Sequence, residues 1–508
     1  MSPAWCVATM AERASSVSFQ FFEGAIWTAA RNLLQVVLSL TALAVVAREL
    51  GPQAYGVFGI AMLVISVAEM ITGGALTDSI VQRKDLDSGH VDATFWLSSG
   101  LAIVFGALIA AFAEPLARLA GGSQATEVLT VLACLLPITV GSRVPMALLA
   151  RDLRFRTSSQ IGALATILSC GTGIVLALRG TGIWTLVVME AVRSSVNLVG
   201  AFVAVQWRPR RRGRWQHLRE LSRFNAGTLA TYAVGYADLL LPRLLVSHLM
   251  GAQTLGLFML AARVPTELSQ LLTAPLHAVA TAACARAQEA REELHRLIVG
   301  MYKTSRLLVF PTFLGMAALA PYLIPLLFGP RWAPAVPAIQ ILMLGGLRSA
   351  TGAFNTAILF GVGHVQAPLI LFGVGCLLQV ILFPALASWG LMGAAIAMLG
   401  RQFGNWPLAC LLIKRATGLS IWRQVEGGTS ILVAAGATAS LVWATARLLE
   451  PILPTTAVIL VSVFVGAMGY LAALRLLAPA TLRTATALTG AFLRRDRSKV
   501  EAILSQTN

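Results

Sequence analysis

Long uninterrupted runs of apolar residues constrain this chain more than any other feature of its sequence. A helix of about twenty apolar residues crosses a hydrocarbon layer of about 30 Å, and runs of that length recur through nearly all of the 508 residues. Strands of a membrane barrel would be shorter and would alternate apolar with polar residues. The sequence therefore predicts an all-α polytopic membrane protein of about 14 transmembrane helices. The predicted spans are 24–47, 56–80, 93–113, 126–149, 158–178, 182–206, 224–247, 256–281, 306–328, 334–359, 366–388, 391–413, 428–446 and 454–474.

The composition excludes a soluble enzyme and a disordered chain. Only 12% of the residues are charged and 57% are hydrophobic, whereas soluble proteins carry about 25% charged residues. The six cysteines have neither metal-ligand nor redox spacing, so we expect no metal site and no cofactor. We expect no secretory signal, because the first twenty residues lack a basic amino-terminal region and an Ala-x-Ala site before the first span.

The positive charge of the chain lies mainly in alternate loops. The formal net charge is +17, and 27 of the 39 Lys and Arg residues fall in one set of loops and the termini, against 5 in the opposite loops and 7 within spans. The positive-inside rule then places both termini in the cytoplasm, for a multi-pass protein of the cell inner (cytoplasmic) membrane. The basic run 208–214 follows a span directly, which favours anionic membrane lipids over nucleic acid as its partner.

A sequence repeat relates the two halves of the chain. The turn after the first predicted span and the turn after the seventh match at a constant offset of 200, in the pairs Gly51/Gly251, Gln53/Gln253, Gly56/Gly256 and Phe58/Phe258. Both copies start on the same side of the membrane, so they form a parallel repeat of two pseudo-symmetric six-helix lobes plus two C-terminal helices. The predicted domains are an N-terminal lobe (1–206), a basic linker (207–223), a C-terminal lobe (224–413), and two extra helices with a tail (414–508).

Charged residues inside the spans are the candidate binding residues, because such groups normally face a cavity or one another. Spans one, two, seven and eight carry polar stripes at helical spacing, whereas spans three, five, nine, eleven, thirteen and fourteen have uncharged cores that we expect to face lipid. Arginine suits phosphate because its planar guanidinium forms bidentate hydrogen bonds. The candidate substrate-binding residues are Arg31, Arg143, Arg193, Arg243, Arg263, Arg348 and Arg401.

The spacing of the acids leaves a structural alternative open for some of these arginines. Glu190 with Arg193, and Arg263 with Glu267, stand three and four residues apart, which suits ion pairs along a helix. Two further acids, Glu69 and Asp238, are candidates for ion coupling by protonation.

Several motifs resemble those of a known family. They are Arg48-Glu-Leu-Gly-Pro-Gln-Ala-Tyr-Gly-Val-Phe, Val81-Gln-Arg-Lys-Asp-Leu, Ala150-Arg-Asp-Leu-Arg-Phe and Leu327-Phe-Gly-Pro-Arg-Trp-Ala-Pro-Ala-Val-Pro. Together with the span count they resemble the polysaccharide transporter family, the Wzx-type flippases of the multidrug/oligosaccharidyl-lipid/polysaccharide exporter superfamily. The resemblance implies a two-lobed bundle that moves undecaprenyl-diphosphate-linked oligosaccharides of exopolysaccharide or lipopolysaccharide synthesis to the periplasmic leaflet. It also implies basic cavity residues near the anionic headgroup, and a polysaccharide polymerase with its chain-length machinery as further partners.

Two other functions compete with a flippase. A cation-coupled multidrug exporter of the same superfamily would favour acids in its interior, whereas the spans hold seven arginines and five acids. A membrane glycan polymerase or ligase would need catalytic groups on a sizeable external loop. The longest external loop has about a dozen residues (114–125) and no nucleophile-base constellation, so we expect a transporter and not an enzyme.

Overall fold

The computed structural model describes residues 38–74, 77, 80–81, 86–210, 226–287, 290–364, 366–477 and 479, and within them it is helical without strands. We number the helices that coincide with predicted spans α1 to α14. They are α1 and α2 (the two parts of Leu38–Gly73), α3 (Ser88–Ala111), α4 (Thr126–Gly141), α5 (Phe155–Leu178), α6 (Trp184–Ala204), α7 and α8 (the two parts of Ala226–Ala287), α9 (Arg291–Phe328), α10 (Val336–Gly361), α11 (Ala367–Leu386), α12 (Gly390–Gly404, continued by Trp406–Thr417), α13 (Gly428–Leu449) and α14 (Thr455–Leu477).

These helices confirm the predicted fold class. Among the described residues, ten helical stretches are long and apolar enough to cross a membrane, and several of them bend and contain two predicted spans each. Residues 24–37 of the first predicted span, residues 211–223 of the basic linker and most of the C-terminal tail lie outside the described residues. The domain boundaries stay predictions.

The helices form two packed groups and an appended pair. Helices α3 and α4 pack together, as do α5 and α6, while α10 packs on α9 and on the α7–α8 stretch. Helices α13 and α14 pack on each other and against α9. Span nine, which we expected to face lipid, has one covered face: Val309 and Phe313 of α9 are fully buried where α10 and α13 pack on it, whereas Leu308 and Leu327 are exposed.

Helix α9 also begins earlier than predicted. It starts at Arg291 instead of 306, so the residues assigned to a basic loop form its first turns. Arg306 is buried, and its guanidinium donates to the carbonyl oxygens of Gln424, Val425 and Glu426 at the end of the short helix Ile421–Val425. Carbonyl groups at a helix C-terminus carry partial negative charge, which stabilises this cation without a carboxylate.

The repeated turns are two equivalent bends. Gly51 between α1 and α2 has φ of 73°, and Gly251 between α7 and α8 has φ of 83°. A side chain is strained in this left-handed region, so glycine is favoured at both bends. We call the side of the bundle that carries Gly51 and Gly251 the turn face.

The two lobes interlock at the turn face. A methyl group on Gly56 would overlap the carbonyl oxygen of Ala252, and one on Gly256 would overlap that of Pro52. The α2 and α8 backbones thus touch through the two repeat-related glycines, at a distance that no larger residue allows.

Two loops complete this interlock, one from each lobe. Trp332, which is fully buried, follows α9 and donates its indole N–H to the carbonyl of Ala47 at 2.8 Å. Ser247 of α7 donates in turn to the carbonyl of Ala120 in the loop before α4. The loop between α9 and α10 therefore contacts the α1–α2 turn of the N-terminal lobe. The loop between α3 and α4 likewise contacts the α7–α8 turn of the C-terminal lobe. We call the contacts Gly56–Ala252, Gly256–Pro52, Trp332–Ala47 and Ser247–Ala120 the clasp.

Candidate functional site

The N-terminal lobe contains a network of two acids and two arginines. Arg143, just after α4, donates to Glu69 of α2 at 2.7 Å, and Arg193 of α6 pairs with Glu190 at 2.6 Å. Glu69 also interacts electrostatically with Glu190 and Arg193, so the four groups form one cluster. The Arg193 side chain is 52% exposed although it lies within a span. A charge in that position normally faces water inside the bundle.

A glycine makes room for this network. Gly73, at the end of α2, lies against Arg143, and a methyl group there would come within 2.8 Å of the Arg143 Cδ atom. The polar stripe predicted on span two therefore contributes both an acid, Glu69, and the space for its partner.

The C-terminal lobe has a second, more buried ion pair. Asp238 of α7 accepts from the Nε and Nη2 atoms of Arg401 on α12, and from Nε2 of Gln379 on α11 at 2.7 Å. The Asp238 and Arg401 side chains are only 10% and 17% exposed. Gly375 of α11 leaves the space for the pair, since a methyl group there would lie 2.7 Å from Asp238 Oδ1.

Arg263 of α8 lies where the two lobes meet. Its Nε atom is 3.4 Å from Glu267 Oε1, one helical turn away. Its two terminal nitrogens donate across the interface to the Tyr55 hydroxyl and the Ser39 Oγ atom, each at 3.3 Å. This arginine therefore combines the ion pair that its spacing predicts with two contacts to the other lobe.

Two candidate arginines have no acid partner among the described residues. Arg243 of α7 has no hydrogen bond there, and it interacts electrostatically with Arg263 and Tyr55. Arg348 of α10 has a buried Nε atom without a hydrogen-bond acceptor, and its electrostatic neighbours include Arg401. Arg31 lies outside the described residues.

The described candidate arginines therefore fall into two groups, those with a carboxylate partner and those without one. Arg143, Arg193, Arg263 and Arg401 each have a carboxylate, whereas Arg243 and Arg348 lack one in the described part of the chain. The surplus charge is positive, which suits an anionic ligand or water-exposed guanidinium groups. The role of all seven arginines in binding stays a prediction.

Two residues of this arrangement were missed from the sequence. Gln379 is an amide in a span that is otherwise apolar, which is the signal that could have identified it. Tyr55 is in the repeated turn motif, but its sequence does not indicate that it contacts an arginine 208 residues later.

The fold is that of a two-lobed membrane transporter. A lipid II flippase, MurJ, in an inward closed conformation has the same fold with a TM-score of 0.71 and 12% sequence identity, over 88% of this chain and 98% of that chain. An inward-facing multidrug resistance transporter of the MATE family aligns with a TM-score of 0.59 and 17% identity, over 75% of this chain and 93% of its own. Both likenesses concern the fold alone.

The sequence identifies the family. A family model described as polysaccharide biosynthesis protein matches residues 45–337, more than half of the chain, and the chain belongs to this family. It is 28% identical to the succinoglycan biosynthesis transport protein ExoT of Rhizobium meliloti, over 62% of this chain and 66% of that relative. It is 24% identical to the lipopolysaccharide biosynthesis protein WzxC of Escherichia coli, over 74% of this chain and 76% of the relative.

Proposed function

We propose that this chain is a flippase that moves oligosaccharide repeat units linked to undecaprenyl diphosphate from the cytoplasmic to the periplasmic leaflet of the inner membrane. Membership of the polysaccharide biosynthesis family is the observation that carries the proposal. The fold shared with a lipid II flippase and the names of the two relatives support it. In this proposal both termini are cytoplasmic and the turn face is periplasmic, in agreement with the distribution of basic loops.

The chemistry of the interior suits such a substrate. The barrier to flipping is the desolvation of the sugar hydroxyls and the diphosphate, because hydrocarbon offers neither of them hydrogen bonds. The partly exposed ion pairs of the N-terminal lobe, and Arg243 and Arg348, which lack a carboxylate among the described residues, offer polar contacts within the bundle, while the polyprenyl tail stays in the lipid. A membrane potential negative inside favours outward movement of an anion by about 2.3 kcal/mol per charge per 100 mV.

The direct test is the location of the lipid-linked glycan in cells without this protein. Deletion should stop export of the polysaccharide and leave its lipid-linked repeat unit on the cytoplasmic leaflet, inaccessible to glycan-modifying enzymes added to the periplasmic side of spheroplasts. Repeat units that still reach the periplasmic leaflet at the normal rate would overturn the proposal.

The two unpaired arginines should matter most for transport. Replacing Arg243 and Arg348 by Ala removes two guanidinium groups that have no carboxylate partner in the described part of the chain. We expect glycan export to fall by more than about tenfold, since each charge-assisted hydrogen bond to the substrate contributes about 1.5–3 kcal/mol. Export is measured in a deletion strain that carries each variant, at equal amounts of membrane-inserted protein.

Arg447 provides the matched control for this double variant. Its side chain is 69% exposed outside the bundle interior and pairs with Glu450, so Arg447→Ala should leave export unchanged. Normal export by the Arg243→Ala/Arg348→Ala variant would exclude these two residues from substrate handling.

The charge of the interior argues against export of cationic drugs as the second candidate function. A cationic substrate would need unpaired carboxylates, whereas the four span acids among the described residues, Glu69, Glu190, Asp238 and Glu267, all have arginine partners. Drug susceptibility of a hypersensitive strain that expresses the protein distinguishes the two: resistance would favour the exporter, and unchanged susceptibility the flippase.

A further inference from the structure

Arg263 is held by three weak partners instead of one strong partner. Its contacts to Glu267, Tyr55 and Ser39 measure 3.4, 3.3 and 3.3 Å, whereas charge-assisted hydrogen bonds of guanidinium groups are usually about 2.7–2.9 Å long. The Arg263 side chain is also 36% exposed. A phosphate group could offer this guanidinium two short parallel hydrogen bonds, which neither the Tyr55 nor the Ser39 hydroxyl can match.

Tyr55 connects Arg263 to the clasp. The Tyr55 ring, which is almost fully buried, packs edge-on against Trp332, with ring centroids 5.8 Å apart and an interplanar angle of 82°. Trp332 itself donates to the carbonyl of Ala47. One continuous set of contacts thus runs from an interior arginine, through a tyrosine of the other lobe, to the residue that joins the turn-face loops.

The surroundings of Arg263 carry a positive surplus. Arg243 interacts electrostatically with both Arg263 and Tyr55, and Glu267 is the carboxylate that pairs with this group in the described residues. Two guanidinium groups against one carboxylate attract an anion of more than one charge, which describes a diphosphate better than a neutral sugar.

We infer that Tyr55 couples substrate binding to the turn face: the diphosphate of the lipid-linked substrate binds Arg263, draws it away from Tyr55 and Ser39, and thereby releases the clasp. Binding favours the open state because the substrate binds Arg263 only after its contacts across the interface break, and a ligand shifts an equilibrium by its differential affinity for the two states. The inference rests on the proposed function. It assigns Tyr55 as the positioning residue that couples substrate binding to opening.

Cross-linking across the turn face measures the state of the clasp. His248 and Leu119 are exposed residues of opposite lobes, and His248 Nδ1 lies 3.3 Å from the Leu119 carbonyl. In a background without the six native cysteines, Leu119→Cys/His248→Cys should cross-link efficiently in nanodiscs with a short bifunctional methanethiosulfonate. Added undecaprenyl diphosphate should reduce the cross-linked fraction, whereas undecaprenol, which lacks phosphate, should not.

Two further variants accompany this measurement: a cross-link within one lobe serves as the control, and Tyr55→Phe tests the role of the Tyr55 hydroxyl. Gln53→Cys/Gln124→Cys joins residues of one lobe, whose side chains form a 3.0 Å hydrogen bond, so undecaprenyl diphosphate should not change its cross-linking. Tyr55→Phe keeps the ring on Trp332 and removes only the hydroxyl. Without lipid it should lower the closed-to-open ratio by about two- to tenfold, the loss expected for one hydrogen bond that contributes about 0.5–1.5 kcal/mol, and the response to lipid should shrink.

The outcomes separate this inference from the proposed function. If native mass spectrometry detects bound undecaprenyl diphosphate but the 119/248 cross-link does not change, the coupling is wrong and the flippase proposal stands. If Tyr55→Phe responds like its parent, Tyr55 is not the coupling residue. If the lipid does not bind and the deletion strain exports normally, the proposed function fails and the coupling fails with it.

Discussion

Replacing Asp238 by Asn should destabilise the folded protein by about 3–5 kcal/mol, the cost of removing one partner of a buried ion pair. Asp238 accepts two hydrogen bonds from Arg401 and one from Gln379, and its side chain is 10% exposed. In the variant the guanidinium of Arg401 stays inside the bundle without a carboxylate. Arg348, an electrostatic neighbour of Arg401, then adds repulsion that no other acid paired with Arg401 among the described residues offsets.

Thermal unfolding of the detergent-solubilised protein, followed by size-exclusion fluorescence, measures this loss. The double variant Asp238→Asn/Arg401→Gln removes both charges and should recover most of the stability, because no uncompensated charge remains. Glu114→Gln is the control for an exposed pair: Glu114 and Arg118 are 58% and 67% exposed, so it should cost no more than about 1 kcal/mol.

This experiment also tests Asp238 as an ion-coupling residue. A carboxylate that serves only to bind a proton or cation would tolerate Asn with little loss of stability, and the variant would lose ion-dependent transport alone. A stable Asp238→Asn variant with that defect would therefore contradict a structural role for the pair.

The sequence alone is sufficient to predict contacts that lie within one helix. The spacing of Glu190 with Arg193, and of Arg263 with Glu267, predicts ion pairs that the structure contains. The helical period brings such residues together whatever the rest of the chain does. The repeat at Gly51 and Gly251 likewise reports a local backbone conformation, which both residues adopt.

Contacts between spans could not be predicted in this way. Arg143 and Arg401 have no acid nearby in their own spans, yet each pairs with an acid of a different helix, Glu69 and Asp238 respectively. Which helices become neighbours depends on packing over the whole bundle. The same limit applies to the clasp, because a glycine in a repeated motif signals a close approach without identifying the backbone that approaches.

Replacing Gly56 by Ala should prevent the lobes from closing on the turn face. The new methyl group would overlap the carbonyl oxygen of Ala252, and because the obstacle is backbone, no change of side-chain rotamer relieves it. Overpacking of this kind costs about 1–3 kcal/mol, which lowers the closed-to-open ratio by about five- to 150-fold. A transporter that alternates between two states then spends too little time closed, so glycan export should fall by a similar factor. Gly256→Ala, which would overlap the carbonyl of Pro52, should have the same effect.

Helical glycines with free space around them give the matched control. Gly100 of α3 and Gly171 of α5 have no atom within 4 Å of an added methyl group, so Ala at either site should raise helix stability by up to about 1 kcal/mol and leave export unchanged. The Leu119→Cys/His248→Cys cross-link reports closure directly, and it should weaken in Gly56→Ala and Gly256→Ala but persist in both controls. Full cross-linking and normal export in Gly56→Ala would mean that the α2 and α8 backbones need not touch during transport. Weak cross-linking with normal export would mean that closure on the turn face is not a step of the cycle.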